Sequence, residues 1–170
     1  MGKKKKNPSS NFALRGFFRV QLSKDGKIEG DSGWLHNVVT DYGLDEFLGQ
    51  RLLGGSTYPG FAALGTGGAP ATSATILPNE LTQVTNARDT CSTATSTSAT
   101  AAAVTSRWYG TFSSSESRIT TATTIGNIGL YTGSATSGSN LCCGATYAAS
   151  TWNTNQDVNY TYEWQFNTTT

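Results

Sequence analysis

The segment VNYTYEWQF, residues 158–166, decides the fold class of this 170-residue chain. Its large side chains alternate strictly with polar ones along the whole segment. The large residues are Val158, Tyr160, Tyr162, Trp164 and Phe166. Such alternation predicts a β-strand that buries one face against a core. Each large aromatic side chain buried there would contribute about 2–3 kcal/mol to stability.

The segment FALRGFFRVQLS, residues 12–23, predicts a second half-buried strand by the same alternation. Its apolar positions are Phe18, Val20 and Leu22. The KDGK that follows predicts a hairpin with Asp25 and Gly26 at its tip, because this pair is typical of a two-residue hairpin turn. Gly30 and Gly33 interrupt the return strand KIEGDSGWLHNVVT, so we expect a β-bulge there.

Three more segments are predicted as strands. The short apolar FAAL, residues 61–64, leads into a glycine-rich turn. VTSRWYGTF, residues 104–112, places three large residues on one face, namely Val104, Trp108 and Phe112. In TTIGNIGLYTG, residues 123–133, alternation predicts one face with Ile128 and Leu130 and another with Ile125 and Tyr131. The clusters TGSATSGSN and TWNTNQD are read as turns.

The segment NVVTDYGLDEFLGQRLLGG, residues 37–55, predicts the one helix. Thr40 or Asp41 suits the N-cap, and two acids, Asp45 and Glu46, lie near the positive end of the helix dipole. An apolar stripe at helical spacing is expected to seal one side of the core. Its members are Leu44, Phe47, Leu48 and Leu52. Gly54 and Gly55 end the helix.

The composition favours strands and turns. Hydrophobic residues make up 36% of the chain and charged residues 14%, both below the usual average, while Ser, Thr, Gly and Asn are abundant. We therefore expect a mainly β chain: an antiparallel β-sandwich-like single domain with one short α-helix and long irregular extensions. Residues 1–11 form a basic arm, and residues 12–170 form the β-rich domain, which includes a long Ser/Thr-rich loop at about 66–103.

Charge and residue types restrict the function. The net charge of +1 argues against a general nucleic-acid binder, so the only nucleic-acid contact we consider is through the arm with Lys3, Lys4, Lys5 and Lys6. Three cysteines and one histidine provide neither a disulfide framework nor metal-ligand spacing. Cys91, Cys142 and Cys143 are expected to be reduced. No signal peptide or membrane-spanning run is recognised.

The segments that could carry chemistry have structural explanations. GTGGAP, residues 65–70, lacks the Gly-Lys-Ser/Thr of a phosphate-binding loop, and we interpret it as a tight turn. His36 could form a catalytic group with Asp31 or Asp41 and a serine, but no Gly-x-Ser-x-Gly elbow is present, and a partly exposed strand histidine explains it. Asp45 and Glu46 are adjacent and diverge on a helix. We expect neither an enzyme nor a cofactor.

The order of four segments resembles a loose class of tailed-bacteriophage virion proteins. The segments are WLHNVVTDYGLDEFL, FAALGTGGAPATSATILPNEL, TTIGNIGLYTG and VNYTYEWQF. The matching residues are Asn37, Val39, Thr40, Gly43 and Leu44, then Ala63, Leu64, Gly65, Thr66, Gly67, Ala69, Pro70, Ser73, Thr75, Leu77, Glu80 and Leu81, then Ile128, Gly129, Leu130 and Tyr131. The resemblance covers about Gly30 to Phe166. The chain departs from it at Asn127, where an acid is common, and in the extended loop around Cys91.

The resemblance implies a non-enzymatic structural component of a virion, located in the tail, collar, fibre or capsid surface. Expected partners are copies of the chain and other virion proteins of the portal, tail or capsid, with a host receptor as an alternative partner and no membrane. The partner-contact residues are expected to be Lys3, Lys4, Lys5, Lys6, Thr66, Pro70, Leu77 and Leu81. The alternative function is a receptor- or carbohydrate-binding module of a fibre, with exposed rings such as Tyr58, Trp108 or Trp152.

Overall fold

Two antiparallel sheets pack face to face in the computed structural model, which describes residues 11–50, 53–55, 58–82, 84–98, 103–137 and 140–169. The strands are β1 (Asn11–Lys24), β2 (Lys27–Asp31), β3 (Leu35–His36), β4 (Val38–Val39), β5 (Phe61–Gly65), β6 (Arg88–Thr90), β7 (Ser92–Ser98), β8 (Ala103–Phe112), β9 (Thr123–Tyr131), β10 (Leu141–Trp152) and β11 (Asp157–Thr169). The first sheet has the order β2-β1-β11-β8-β7, with β3 also paired to β1. The second has the order β4-β10-β9-β5-β6. The expected mainly β, sandwich-like fold is confirmed.

The core lies between the sheets, and β11 is at its centre. Val158, Tyr160, Tyr162 and Trp164 are all buried in one cluster, and Phe166 packs against its border. Phe18, Val20 and Leu22 of β1 and Trp108 and Phe112 of β8 join the same cluster, whereas Val104 is exposed. The alternation of β1, β8 and β11 therefore identified the inner face of the first sheet.

The β1–β2 hairpin forms as the sequence predicts. Asp25 and Gly26 both have positive φ, 51° and 76°, which the two-residue turn requires. Ser23 pairs with Ile28 but Leu22 pairs with Gly30, so one extra residue of β2 forms a bulge beside Gly30. The expected bulge is confirmed. The chain then changes sheets, because β3 pairs with β1 and β4 pairs with β10.

The helical segment is less regular than expected. Helix α1 covers Asp41–Leu44 and continues as a π-helical turn over Asp45–Gly49. Thr40 is the N-cap, since its hydroxyl accepts a hydrogen bond of 3.0 Å from the Gly43 N–H. Gly54, with a φ of 88°, follows the helical segment as predicted.

The prediction that Leu44 belongs to a buried apolar stripe is wrong, because Leu44 is 42% exposed. The helix approaches β10 through Gly43 instead, where an added Cβ would lie 1.9 Å from the Cys142 carbonyl oxygen. Only a glycine permits this distance between the helix and the strand, and that close approach fixes which face of α1 packs inward. The side chains of Phe47, Leu48 and Leu52 lie outside the described residues.

Strand β10 was not predicted, although it lies in the second sheet between β4 and β9. Its segment LCCGATYAASTW is rich in small residues and has no clean alternation. Leu141, Cys142 and Cys143 are consecutive and fully buried. All three cysteines of the chain are free, as expected. β10 is covered on both faces over this stretch, which removes the alternation that identifies a half-buried strand.

The face predicted for Ile125 is wrong. Ile125 lies in the main core with Ile128 and Leu130, whereas Tyr131 belongs to a second cluster on the opposite face of the sheet. The pairing of β9 with β10 is irregular between Thr146 and Ser150, directly beside Ile125. A bulge resets which face each side chain points to, so a period of two cannot be extended across it.

The segment expected to be a long loop at 66–103 contains two strands. β6 joins the edge of the second sheet and β7 joins the edge of the first, with Cys91 between them. Their residues are mostly small and polar, so tertiary pairing overrides the low-complexity pattern. In the described part of the chain, no helix is long and apolar enough to span a membrane.

Candidate interaction surface

The structure divides the expected partner-contact residues into three groups. Lys3, Lys4, Lys5 and Lys6 lie outside the described residues. Thr66 is exposed. Pro70 and Leu77 are buried, and Leu81 is half-buried against the main core. For Pro70 and Leu77 the expectation of a surface contact is therefore corrected: their side chains pack inside the chain.

The reason is that the loop after β5 folds back over the outer face of the second sheet. The side-chain amide of Asn127 donates hydrogen bonds to the carbonyls of Gly68 (3.1 Å) and Pro78 (2.9 Å). The Tyr131 hydroxyl accepts from the Leu77 N–H and donates to Glu80, each at 2.6 Å. The loop is a covering layer of the sandwich.

The turn GTGGAP belongs to this layer. A Cβ on Gly67 would lie 2.4 Å from the Pro78 carbonyl oxygen, so this glycine is required by a close approach within the chain. The Thr66 N–H donates to the Asn79 carbonyl at 3.1 Å. These contacts agree with a tight turn.

Two buried arginines, Arg88 and Arg118, anchor the chain where it passes from β6 to β7. Neither was identified as a candidate functional residue from the sequence. Arg88 donates to both oxygens of Glu80, at 2.8 and 3.0 Å, and its guanidinium lies 3.5 Å from the centre of the Tyr131 ring. Bidentate geometry of this kind gives a strong and well-oriented ion pair. The sequence signal for Arg88 was a pair of charged residues in NARDT, residues 86–90, within the otherwise charge-poor segment 66–103.

The neighbouring Asp89 points to the other side of β6, into the core. It accepts from Arg118 at 2.7 Å and from the Tyr160 hydroxyl at 2.9 Å. Burial raises the pKa of Asp89, and this effect outweighs the favourable hydrogen bond from Tyr160 and the charge of Arg118. Arg118 also donates to Glu116 and to the Asn86 carbonyl. The cluster joins β6, β11 and the turn after β8.

The thiols of the chain are protonated near neutral pH. Burial raises the pKa of Cys91 and of Cys142 to about 12. It also raises the pKa of Cys143, which is fully buried. A thiol is a poor nucleophile and metal ligand until it loses its proton. Among the described residues, no group of three or more His, Cys, Asp or Glu side chains is placed to hold a metal ion.

His36 is not brought together with its candidate partners. Its ring packs at a tilt of 39° against Phe17 with the ring centres 4.7 Å apart, and the residue is exposed, as the strand-histidine interpretation expects. Asp31 accepts from Arg19, with 3.0 Å between Arg19 Nε and Asp31 Oδ1, and this hydrogen bond lowers the pKa of Asp31 below its usual range. Asp41 is exposed at the start of α1.

The chain continues from this anchored crossing into β7, one of the two outer strands of the first sheet. β7 pairs with β8 in unbroken register from Ser92 opposite Tyr109 to Ser98 opposite Ala103. Its sequence, STATSTS, contains no charged residue and no proline. The first four residues are all exposed. β7 presents a regularly paired, polar strand at the edge of the sheet.

A groove of about 360 Å³ adjoins this edge. It is lined by Tyr58, Thr93, Ala94, Thr95, Ser106, Arg107 and Trp108. Tyr58 is 52% exposed, whereas only 4% of Trp108 is exposed. Arg107 reaches Glu163 on β11, with 2.8 Å between Nε and Oε1. The groove was not predicted from the sequence, because it forms only when residues 92–98 are a strand and these residues were expected to be part of a loop.

The rings expected of a carbohydrate-binding surface are mostly interior. Trp152 is 1% exposed and donates from Nε1 to the Gln156 carbonyl at 2.8 Å, and Trp108 is buried as well. Tyr58 is the exposed ring of the three candidates. Comparisons of the chain with protein-family models, with curated proteins and with solved structures found no match.

Proposed function

We propose that this chain is a non-enzymatic structural component of a tailed-bacteriophage virion that assembles as a homo-oligomer and contacts neighbouring capsid or tail proteins. The virion assignment rests on the resemblance of the segment order described above. The assembly role is supported by one structural observation, the uncharged, exposed edge strand β7. An open edge of this kind is a ready template for pairing with another chain.

The contact regions of this proposal are the arm with Lys3–Lys6 and the segment around β7. Thr66 is exposed and remains a contact residue, while Pro70, Leu77 and Leu81 support the fold from which the contacts project. A cluster of four lysines would suit an acidic neighbour. Symmetric association of identical chains is the commonest arrangement for such a building block.

The first test is the mass of the purified full chain in solution, measured by light scattering over a range of concentrations. The proposal expects a discrete oligomer, and electron microscopy should show a closed ring or a particle of regular symmetry. Antibodies raised against the chain should label virions released from cells that carry its gene. A strict monomer that labels no particle would overturn the proposal.

Deletion of Met1–Ser10 tests the arm separately. The first described strand, β1, begins at Asn11, after the deleted segment, so the isolated domain should keep its denaturation midpoint while assembly or particle stability falls. Particles that assemble and survive heating equally well without the arm would remove the arm from the proposal. They would leave the rest of it standing.

A receptor- or carbohydrate-binding module of a fibre is the second candidate. Tyr58 favours it, because it exposes half of its ring beside a groove that also contains Arg107 and several hydroxyl groups. Glycan-array binding that is lost in Tyr58→Ala would support this candidate. Because Trp152 is buried, Trp152→Ala should lower stability rather than act on binding alone, so it serves as the control for unfolding.

A further inference from the structure

The two outer edges of the first sheet differ in how they are protected. β2 has the sequence KIEGD, with Lys27, Glu29 and Asp31 along it and a bulge opposite Leu22. Charges and bulges are the devices by which proteins prevent edge-to-edge association. β7 has neither, since its sequence is uncharged and its register with β8 is unbroken.

β7 also has no buried side chain among those that the structure describes. Ser92, Thr93, Ala94 and Thr95 are all exposed, although successive residues of a strand point to opposite faces. Both faces of this part of β7 are therefore exposed in the described structure. Its contacts are the backbone pairs to β8, so what β7 adds to the molecule is a second row of backbone donors and acceptors at the sheet edge.

We infer that β7 pairs antiparallel with β7 of a second copy of this chain, about a two-fold axis that passes beside Thr95. This inference deepens the proposed function and rests on it. Thr95 is the middle residue of Ser92–Ser98, so this register pairs every residue of both strands. Half of the residues in an antiparallel strand direct their N–H and C=O groups to a given side, which gives about six to eight backbone hydrogen bonds between the two copies.

The charge pattern favours a second copy of the chain as the partner, and it favours β7 over β2 as the edge that pairs. In a two-fold pair of identical strands, the central residue faces itself and every other residue faces a member of the same sequence. A charge at the centre would therefore oppose the same charge, which is destabilising. Glu29 lies at the centre of β2 and would face itself, whereas Thr95 at the centre of β7 introduces no repulsion.

The pairing also extends the groove beside β7. Thr93 and Thr95 line this groove on the side of the strand, and Tyr58 contributes the exposed ring. A second β7 placed alongside would continue that wall into the other copy, so that one sheet and one joined groove run across both chains. The contact then buries backbone edge and groove lining together.

Disulfide trapping tests the register directly in the full chain. In the inferred pair, Thr95 faces Thr95 of the second copy with their Cα atoms about 4.5–5.5 Å apart, within the range of a disulfide. Thr93 would lie roughly 14 Å from Thr93 of the second copy, since four residues separate them along the strand. Under a mild oxidant, Thr95→Cys should form a covalent dimer, and Thr93→Cys should not.

The wild-type chain is the matched control, because its thiols at Cys142 and Cys143 are buried and Cys91 is half-buried. Equal cross-linking of Thr93→Cys and Thr95→Cys would overturn the register. No cross-linking of Thr95→Cys, in a wild-type chain that nevertheless forms an oligomer, would overturn the inference and leave the proposed function intact. A wild-type chain that stays monomeric would overturn the inference, and one that also labels no particle would overturn the proposed function.

A charge-complementation experiment separates a lost interface from a lost fold. Thr95→Lys and Thr95→Glu should each halve the mass of the associating unit, because like charges then face each other across the axis. Mixing the two variants should restore the wild-type mass, which a misfolded chain could not do. Ile28→Lys, at the opposite edge of the same sheet, should leave the mass unchanged. Loss of association in Ile28→Lys alone would move the interface to β2 and overturn the inference.

Discussion

β11 and β7 belong to the same sheet, but different interactions stabilise the extended backbone of each strand. β11 alternates aromatic and polar residues, and the aromatic face lies in the core. β7 consists of Ser, Thr and Ala, and its described side chains are exposed. The first strand is held by the surface that it buries, and the second is held by its pairing with β8.

The difference teaches that a strand can be defined by its position rather than by its side chains. β8 provides a long, regular edge, and two buried arginine clusters fix the chain at Arg88 and Asp89 of β6, shortly before β7 begins at Ser92. Once Arg88 and Asp89 are anchored on opposite faces of the second sheet, the following residues lie beside β8. Their own weak preference for the extended state is then sufficient.

The largest expected effect distinguishes the two strands by truncation. Trp164→Ala should lower the free energy of unfolding by about 3–5 kcal/mol, because it leaves a cavity at a fully buried site. Thr93→Ala in β7 should change it by no more than about 0.5 kcal/mol. Urea denaturation followed by circular dichroism, at a protein concentration where the chain is dissociated, measures both.

Trp164→Phe is the control for the truncation, since it keeps an aromatic ring at the site and should lose much less stability than Trp164→Ala. Equal losses in Trp164→Ala and Thr93→Ala would contradict the division between a buried strand and a pairing strand.

The next effect concerns the anchor that positions β7. Arg118→Met should cost about 3 kcal/mol, because it leaves the buried Asp89 carboxylate without its guanidinium. Adding Asp89→Asn to Arg118→Met should recover part of that loss, since the double variant has no unpaired buried charge at the site. The double-mutant cycle is measured by urea denaturation at neutral pH. Strict additivity would show that the two side chains do not interact.

The smallest expected effect concerns the pH dependence of stability, which should have opposite signs for the contributions of Asp89 and Asp31. The folded-state pKa of Asp89 is raised by burial, so its proton is bound more tightly in the folded chain, and stability falls as pH rises from the usual aspartate pKa through the raised one. The folded-state pKa of Asp31 is lowered by its hydrogen bond to Arg19. Its contribution is therefore present above the usual aspartate pKa and is lost as pH falls towards the lowered one.

The measurement is the free energy of unfolding of the wild type, Asp89→Asn and Asp31→Asn across the acidic range. Relative to the wild type, Asp89→Asn should gain stability as pH rises through its window, and Asp31→Asn should lose it. The Asp31 effect should be small because the Arg19 pair is exposed and screened by solvent. The same slope for both variants would contradict the assigned causes.

Much of the fold could be predicted because burial on one face leaves a periodic trace. The alternation in β1, β8 and β11 and the Asp25-Gly26 turn are local signals, and each matches the structure. β10 left no such trace, because its first residues are buried on both faces and its later ones are small. Ile125 was placed on the wrong face because an irregular pairing beside it resets the alternation.

Less of the candidate interaction surface could be predicted from the sequence. The segment 66–103 was correctly recognised as polar and poor in core residues, but β6 and β7 within it form only because other strands offer them an edge. Pro70 and Leu77 were expected at a partner contact and are buried instead, since the loop that carries them folds over Asn127 and Tyr131. Long-range contacts of this kind are not encoded in local spacing.

The sequence by itself determined that the chain is mainly β, where its aromatic face lies and where the first hairpin turns, because each of these follows from residues that are neighbours in the chain. Only the tertiary structure decided which segments pair, how Arg88 and Asp89 anchor the crossing between sheets, and that STATSTS forms an outer strand. These outcomes depend on edges and buried charges supplied by residues far away in the sequence. An uncharged Ser/Thr segment becomes a strand when a neighbouring strand satisfies its backbone.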